Sequence, residues 1–531
     1  MIKNRSAFWF VTLFTAWSID FLFWGKIPGV SSTLFILLAL AGLWYLSRQE
    51  KITPHPTARW LTAGILLFAF LAAFREEPFT RVLNHLAALC LLGILLLNYR
   101  GGRWAHFTLS DYVVRSLKLF LDVFILPVQL LTAPPDRDQG GPARDKNNSS
   151  QRKFFFALLR GLLLAVPVLA VLGGLMSAAD PIFGDWLSRL ITFFNLEKLP
   201  QYILRGCLIA LWTFLLGGLF LHALQKSETE KLVSEEDHWP PQLLGFTEAA
   251  VVLGGVNLLF FAFVFIQFRY FFGGEKNISL QGYTYAEYAR RGFAELLAVA
   301  FFTLFIFIVL SSITKRTTDR AKQGFTTLTV PLTILMGVIL VSSYQRLALY
   351  ESAYGFTRLR TFAHLCILWI GILFLGILIL EITRRWNYFT LASLLAVLGF
   401  ILNLNVINVD GFITQRNLNR AAAGSPLDID YLKTLSMDAT NSLIKGTNHP
   451  ELNAEQQAGL QGILACRCTY LRRQSLPWQS TTWSRYQAEK TLEDLQNLQE
   501  NYPTFRKKEG WFVVTENGIQ SCDWGIENQD F

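Results

Sequence analysis

Residues 292–313 read GFAELLAVAFFTLFIFIVLSSI, a run in which Glu295 is the only charged side chain. At 1.5 Å per residue it makes a helix of about 33 Å, long enough to cross a bilayer core of about 30 Å. Ten further stretches of the same character occupy 7–24, 31–47, 60–74, 82–98, 154–176, 201–223, 247–268, 325–343, 362–381 and 388–406. A soluble chain would have to bury eleven such helices completely, and 44 Phe with a positive mean hydropathy fit a lipid-facing surface better. The reading is an all-α, polytopic membrane protein: about eleven transmembrane helices in a domain over 1–406, then a small, mainly helical soluble domain over 407–531. Lys3 and Arg5 ahead of the first apolar run resemble a secretory signal. That run is long, holds Trp9, Trp17 and Asp20, and is followed at once by a second span, so it reads as an uncleaved first helix.

Orientation follows from the basic residues in alternate connections. With the N-terminus inside, the cytoplasmic segments carry 22 Lys and Arg against 13 in the external loops and nearby span ends. This places the N-terminus in the cytoplasm and, with an odd number of spans, the C-terminal domain outside. The net charge of +9 is then mainly a topology signal. The basic residues are scattered through loops with no base-reading module beside them, so no nucleic-acid partner is expected.

The segment 99–153 divides in two. From Phe107 to Leu131 the apolar residues Val113, Leu117, Phe120 and Phe124 mix with Arg115, Lys118 and Asp122, the pattern of a helix lying in the membrane interface or of a further span that enters partway. From Pro134 to Gln151, PPDRDQGGPARDKNNSSQ has almost no apolar residue and reads as a linker. Beyond Asp410, amphipathic helical stretches appear near 412–422, 428–445, 453–472 and 483–501. KKEGWFVVTENG at 507–518 alternates like a short strand or hairpin. Cys90, Cys207 and Cys366 fall in spans. Of the tail cysteines, Cys466 or Cys468 could pair with Cys522 if the tail is external. Nothing has metal-ligand spacing, and no P-loop, kinase or dinucleotide motif occurs, so no metal and no cofactor is expected.

Charged groups at membrane depth are costly and stay only as functional groups or halves of pairs. Sorted by side, the external face collects Arg75 and Arg81 with Glu76 and Glu77, Asp180 in SAADPIF, Arg269 in QFRYFF, and Tyr283, Tyr288, Arg290 and Arg291 in YTYAEYARRGF. The loop YQRLALYESAYGFTRLR adds Arg346, Tyr350, Glu351, Tyr354 and Arg358. Arg forks grip phosphate or carboxylate with two hydrogen bonds, and Tyr suits the headgroup zone. Without Glu76 and Glu77, these are the thirteen residues of the candidate ligand site for an anionic lipid or lipid-linked phosphate. The competing reading has the same charges tie loops together and the aromatics form an interface belt. Asp180 or Glu351 could serve an acid–base reaction, although a lone acid beside a membrane is more often a cap or a pair partner.

SAADPIF (177–183), YTYAEYARRGFAEL (283–296), RLALYESAYGFTRLR (346–360) and NVDGFITQRNLNRA (408–421), continued by PLDIDYLKTLSMDA (426–439), resemble a bacterial family of multi-pass membrane proteins. That family is catalogued as domain of unknown function number 4173, related to number 4153. The resemblance covers about 20–445 and implies a membrane location and a helical fold, with no activity to carry over. The expectation is an integral protein of the bacterial inner membrane that binds or transports an anionic lipid or lipid-linked envelope precursor at its external face. The alternatives are a non-catalytic sensor or scaffold and, third, a membrane enzyme acting on a lipid-linked substrate.

Overall fold

The structure, a computed structural model, describes residues 2–132, 172–193, 198–228, 243–271, 292–494, 500–507, 510–515 and 518–522. It is an all-α, multi-pass membrane fold with one small sheet. Four helices open the chain, α1 (Arg5–Phe23), α2 (Val30–Gln49), α3 (Ala58–Phe74) and α4 (Pro78–Asn98), followed by α5 (Leu109–Thr132), α6 (Pro181–Phe193) and α7 (Leu199–Gln225). The second group is α8 (Phe246–Phe271), α9 (Phe293–Ile313), α10 (Asp319–Tyr354), α11 (Arg358–Thr383) and α12 (Phe389–Ile407). Among the described residues nine helices are long and apolar enough to cross a membrane, and α3, at 17 residues, falls just below that length. The span read over 154–176 lies mostly outside the described residues.

The helices alternate in direction and define two ends. At the basal end the Glu50 carboxylate accepts the backbone N–H groups of Lys3 and Asn4, the start of α8 pairs with the end of α9 at Leu244 and Thr314, and His106 meets Tyr388 at 3.0 Å. The opposite, tail end gathers the α1–α2, α3–α4 and α10–α11 turns together with the C-terminal residues. One apolar cluster joins α1–α4, α5 and α7, a second joins α8–α11, and α12 packs between α11 and α4 to link them. Side chains such as Leu258 (71% exposed) and Phe302 (68% exposed) point outward from the bundle. In water each would lose about 1.5–3 kcal/mol of burial, and acyl chains remove that penalty.

Helix α5 does not run through the bundle. Its first turn lies beside the basal Trp104–His106 turn, where Tyr112 donates to the Trp104 carbonyl, and near its other end the Leu130 carbonyl accepts from Arg5 at the basal start of α1. Both ends thus meet the same end of the bundle. Its middle crosses α7 at Gly218, where an added Cβ would fall on the Val123 backbone; Asp122 then reaches His222 at 2.9 Å.

Two sequence expectations need correcting. YQRLALYESAY is not a loop, because α10 runs for 36 residues to Tyr354. Nothing in it breaks a helix until Gly355, which takes φ +86 and where a Cβ would lie 2.7 Å from Arg420 Nη1. The stretch 428–445 is not one helix either. After α13 (Val409–Ala422) it forms two short helices, α14 (Ile429–Lys433) and α15 (Thr440–Thr447). The backbone leaves the helix at Leu435 and Ser436, whose carbonyl and N–H bond to Arg467 and Asp410 instead.

The tail continues with α16 (Ala454–Arg473), which opens on a capping box of Asn453 and Gln456, and α17 (Trp483–Glu493). Strands β1 (Thr504–Lys507), β2 (Gly510–Thr515) and β3 (Gly518–Ser521) form an antiparallel three-stranded sheet, one strand more than a hairpin, with Thr504 opposite Val513 and Val513 opposite Gln520. The sheet lies against α16, and a disulfide joins Cys466 to Cys522, leaving Cys468 buried with a free thiol. The tail's own apolar core includes Leu365 and Leu404 from the membrane helices, so the tail is packed onto the bundle.

Candidate functional site

The feature that stands out chemically is a buried group of charges where the tail meets the bundle. Pro78 ends α3–α4's turn by starting α4, and Glu77 caps that helix by accepting from the N–H groups of Phe79 (3.1 Å) and Thr80 (2.7 Å). This leaves the N–H groups of Glu76 and Glu77 pointing into the tail, where Asp438 Oδ2 accepts both at 3.0 and 2.8 Å. Ser436 and Ser484 also donate to the Asp438 carboxylate. One acid of a 3-10 turn, Met437–Ala439, therefore holds the turn between two membrane helices.

A second tie lies alongside. Arg358, the first residue of α11, grips Asp410 with both arms of its fork, Nε to Oδ1 at 2.8 Å and Nη2 to Oδ2 at 2.6 Å, and also faces Glu77 at 4.0 Å. Asp410, fully buried, accepts the Ser436 N–H as well, and the Arg358 N–H donates to the Tyr431 hydroxyl. Arg75 Nε donates to the Asn405 carbonyl at 3.1 Å, and Asn405 exchanges two amide hydrogen bonds with Asn84. From the tail, Arg485 approaches Glu76 at 3.7 Å and donates to the Gln474 carbonyl. Arg467 is fully buried; it donates to Thr440 and to the Leu435 carbonyl.

Burial sets the electrostatics here. It pushes the carboxyl groups of Glu76 and Glu77 above the usual range, opposed at Glu76 by Arg485 and at Glu77 by the Thr80 hydrogen bonds. It also pushes the Arg467 guanidinium down to about 10, although Asp410, Glu76 and Asp438 favour its charge. At neutral pH Arg467 stays charged, and the cluster is a network of matched charges.

The remaining sequence candidates fall into separate places. Arg346, Tyr350, Glu351 and Tyr354 share the last turns of α10. Glu351, 2% exposed, faces His364 at 3.0 Å; Tyr350 packs on Phe293 and Tyr354, and Tyr354 is exposed. Arg360 stacks on Tyr350 at 4.1 Å and donates to the Gly355 carbonyl, while Arg420 donates to the carbonyls of Ser352 and Ala353. These two cations satisfy the orphan carbonyls at the end of α10 and oppose its dipole. Asp180 caps α6 through the Ile182 N–H at 2.9 Å. Arg269 lies near the end of α8 with its side chain outside the described part, and Tyr283, Tyr288, Arg290 and Arg291 lie outside the described residues. Of the thirteen, the structure thus brings Arg75, Arg81 and Arg358 to one cluster and the four α10 residues to another.

A family model described as domain of unknown function (DUF4153) matches residues 62–446, most of the chain. The chain belongs to that family. The match is to number 4153. No curated protein and no solved structure matches the chain. The family segment contains Glu76, Glu77, Arg358, Asp410 and Asp438, whereas Arg467, Ser484 and Arg485 come from beyond it.

Asp438, Arg467 and Arg485 were not among the sequence candidates. Arg467 carried a signal, a cation inside GLQGILACRCTYL; Asp438 carried a weaker one, the Ser-x-Asp of a turn that caps itself. Among the described residues no group of three or more His, Cys, Asp or Glu could hold a metal ion.

Proposed function

We propose that this multi-pass protein is a non-catalytic scaffold or sensor of the bacterial inner membrane, in which the bundle anchors a rigidly seated tail that meets other envelope components. The observation that carries this reading is the use made of the tail-end arginines. Arg75, Arg358, Arg467 and Arg485 each bond to a carboxylate or carbonyl of the chain itself, and Arg360 and Arg420 close the end of α10. A site built to grip a phosphate keeps its forks open for the ligand. Here the forks are spent on the chain itself, and those of Arg358 and Arg485 join the bundle to the tail.

The tail also hugs the membrane surface. Trp483 stacks on Phe74 at the end of α3, and Trp478, Trp483 and Tyr486 are about half exposed beside it, as interface aromatics are. The Cys466–Cys522 disulfide and the distribution of Lys and Arg both support an extracytoplasmic tail and a cytoplasmic N-terminus.

A second reading, a lipid-linked phosphate at the same end, rests on Arg81. Its Nη2 is buried and has no hydrogen-bond partner among the described residues. Binding of a polyprenyl phosphate in vesicles to the purified full chain separates the two. The scaffold reading expects no saturable binding, and expects Arg358→Lys to lower the melting temperature in detergent. Saturable binding that Arg81→Lys abolishes while stability is kept overturns it.

A further inference from the structure

At the basal end, away from the charged joint, α2, α3 and α4 line an open groove of about 780 Å³. Leu40, Leu43, Leu66 and Leu95 line its inner part, and Arg48, Lys51 and Arg59 stand at its mouth. No Asp or Glu lines it. From Leu40 to Arg48 along α2 the apolar wall is about 12 Å deep. A slot of that depth, apolar below and cationic at the rim, matches the first part of an acyl chain beneath an anionic headgroup.

Three features give the site its form. Trp44, 53% exposed, carries Arg48 over its ring at 4.4 Å, which fixes the guanidinium plane at the mouth. Lys51 ends α2 with φ +56, a position where glycine is usual, and its N–H donates to the Arg48 carbonyl. Ser47 lies between Trp44 and Tyr99, donating to the Trp44 carbonyl and accepting from the Tyr99 hydroxyl at 3.0 Å, which ties α2 to the end of α4 near the mouth. α3, with 17 residues, spans only about 25 Å, less than a bilayer core of about 30 Å, a mismatch that favours local thinning toward Arg59 in its first turn.

We infer that this groove binds one anionic phospholipid of the surrounding bilayer, its phosphate held by Arg48, Lys51 and Arg59 and one acyl chain lying between α2 and α3. The argument is charge complementarity together with position. The groove opens on the lipid-facing side, where Trp44 and Trp60 are exposed, and pockets between membrane helices with basic rims suit anionic headgroups. The site is independent of the tail and of the scaffold reading.

The test is native mass spectrometry of the purified full chain in detergent with equal amounts of dioleoyl-phosphatidylglycerol and dioleoyl-phosphatidylcholine. A parallel sample receives inorganic phosphate as competitor. One phosphatidylglycerol retained at least tenfold over phosphatidylcholine, and not displaced by millimolar phosphate, is the expected result. Arg48→Gln with Arg59→Gln should remove the preference. Ala63→Trp, which fills the exposed wall and leaves all three cations in place, should remove it too, and decides the matter if the double variant does not fold. No preference in the natural chain, preference kept by Ala63→Trp, or displacement by phosphate alone overturns the assignment.

Discussion

Asp438→Ala tests the joint where its hydrogen bonds are densest. The carboxylate is 6% exposed and accepts from two backbone N–H groups and two hydroxyls. Hydrogen bonds to a charged acceptor contribute about 1.5–3 kcal/mol each, and a buried N–H left without a partner costs about 1–3 kcal/mol. Loss of the Asp438 charge relieves Glu76, which it repels, so the terms do not simply add. A net loss of about 3–5 kcal/mol matches the breaking of a buried pair. Asp438→Asn gives a much smaller loss, about 1–2 kcal/mol, because both backbone N–H groups converge on Oδ2, which the amide oxygen can replace. The assay is amide hydrogen exchange at Glu76 and Glu77 in the detergent-solubilised protein. At 1.4 kcal/mol per factor of ten, Ala should lower protection by about 100-fold or more and Asn by about tenfold. Protection within threefold of the natural chain for Asp438→Ala, or an Asn variant worse than Ala, refutes the reasoning.

Other consequences are as direct. Burial raises the Glu76 carboxyl, so its ionised form is disfavoured in the folded state, and its stabilising contribution, full below the unfolded value, is lost as pH rises through the folded one. Glu76→Gln, which mimics the protonated acid, should therefore melt above the natural chain at pH 7, with the difference closing toward pH 5 in detergent melting curves. Gly218→Ala should cost about 1–3 kcal/mol, because its methyl group meets the Val123 backbone, and should separate α5 from α7 as read by loss of an Asp122→Cys, His222→Cys cross-link. Cys522→Ser opens a bridge of sequence separation 56 and should lower tail stability by about 2–4 kcal/mol; non-reducing gels of alkylated natural protein should show Cys466 protected from the reagent.

The membrane helices could be read from the chain because each is decided locally. A run such as Phe293–Ile313 has no other stable home than lipid. The joint could not be read in the same way. Glu77 and Asp438 are 361 residues apart, Arg358 and Asp410 are 52 apart, and no spacing rule connects them. Arg75, Arg81 and Arg358 were recognised as residues that need a reason, but sequence does not say whether the partner is a ligand or the chain itself. Sequence alone sets the α10 residues in a loop, because their polarity hides a helix that ends only at Gly355. The structure moves Glu351 from an open loop to a buried pairing with His364.

The central claim is that the tail is fixed to the bundle by buried charges and does not hang from α12 as a tethered domain. Spin labels at Ile27, exposed in the α1–α2 turn, and at Lys445, exposed on α15, measure this by pulsed dipolar spectroscopy on the full chain in lipid nanodiscs. A single narrow distance distribution in the natural chain that broadens in Asp438→Ala is the predicted result. A broad distribution in the natural chain, unchanged by the substitution, contradicts the account.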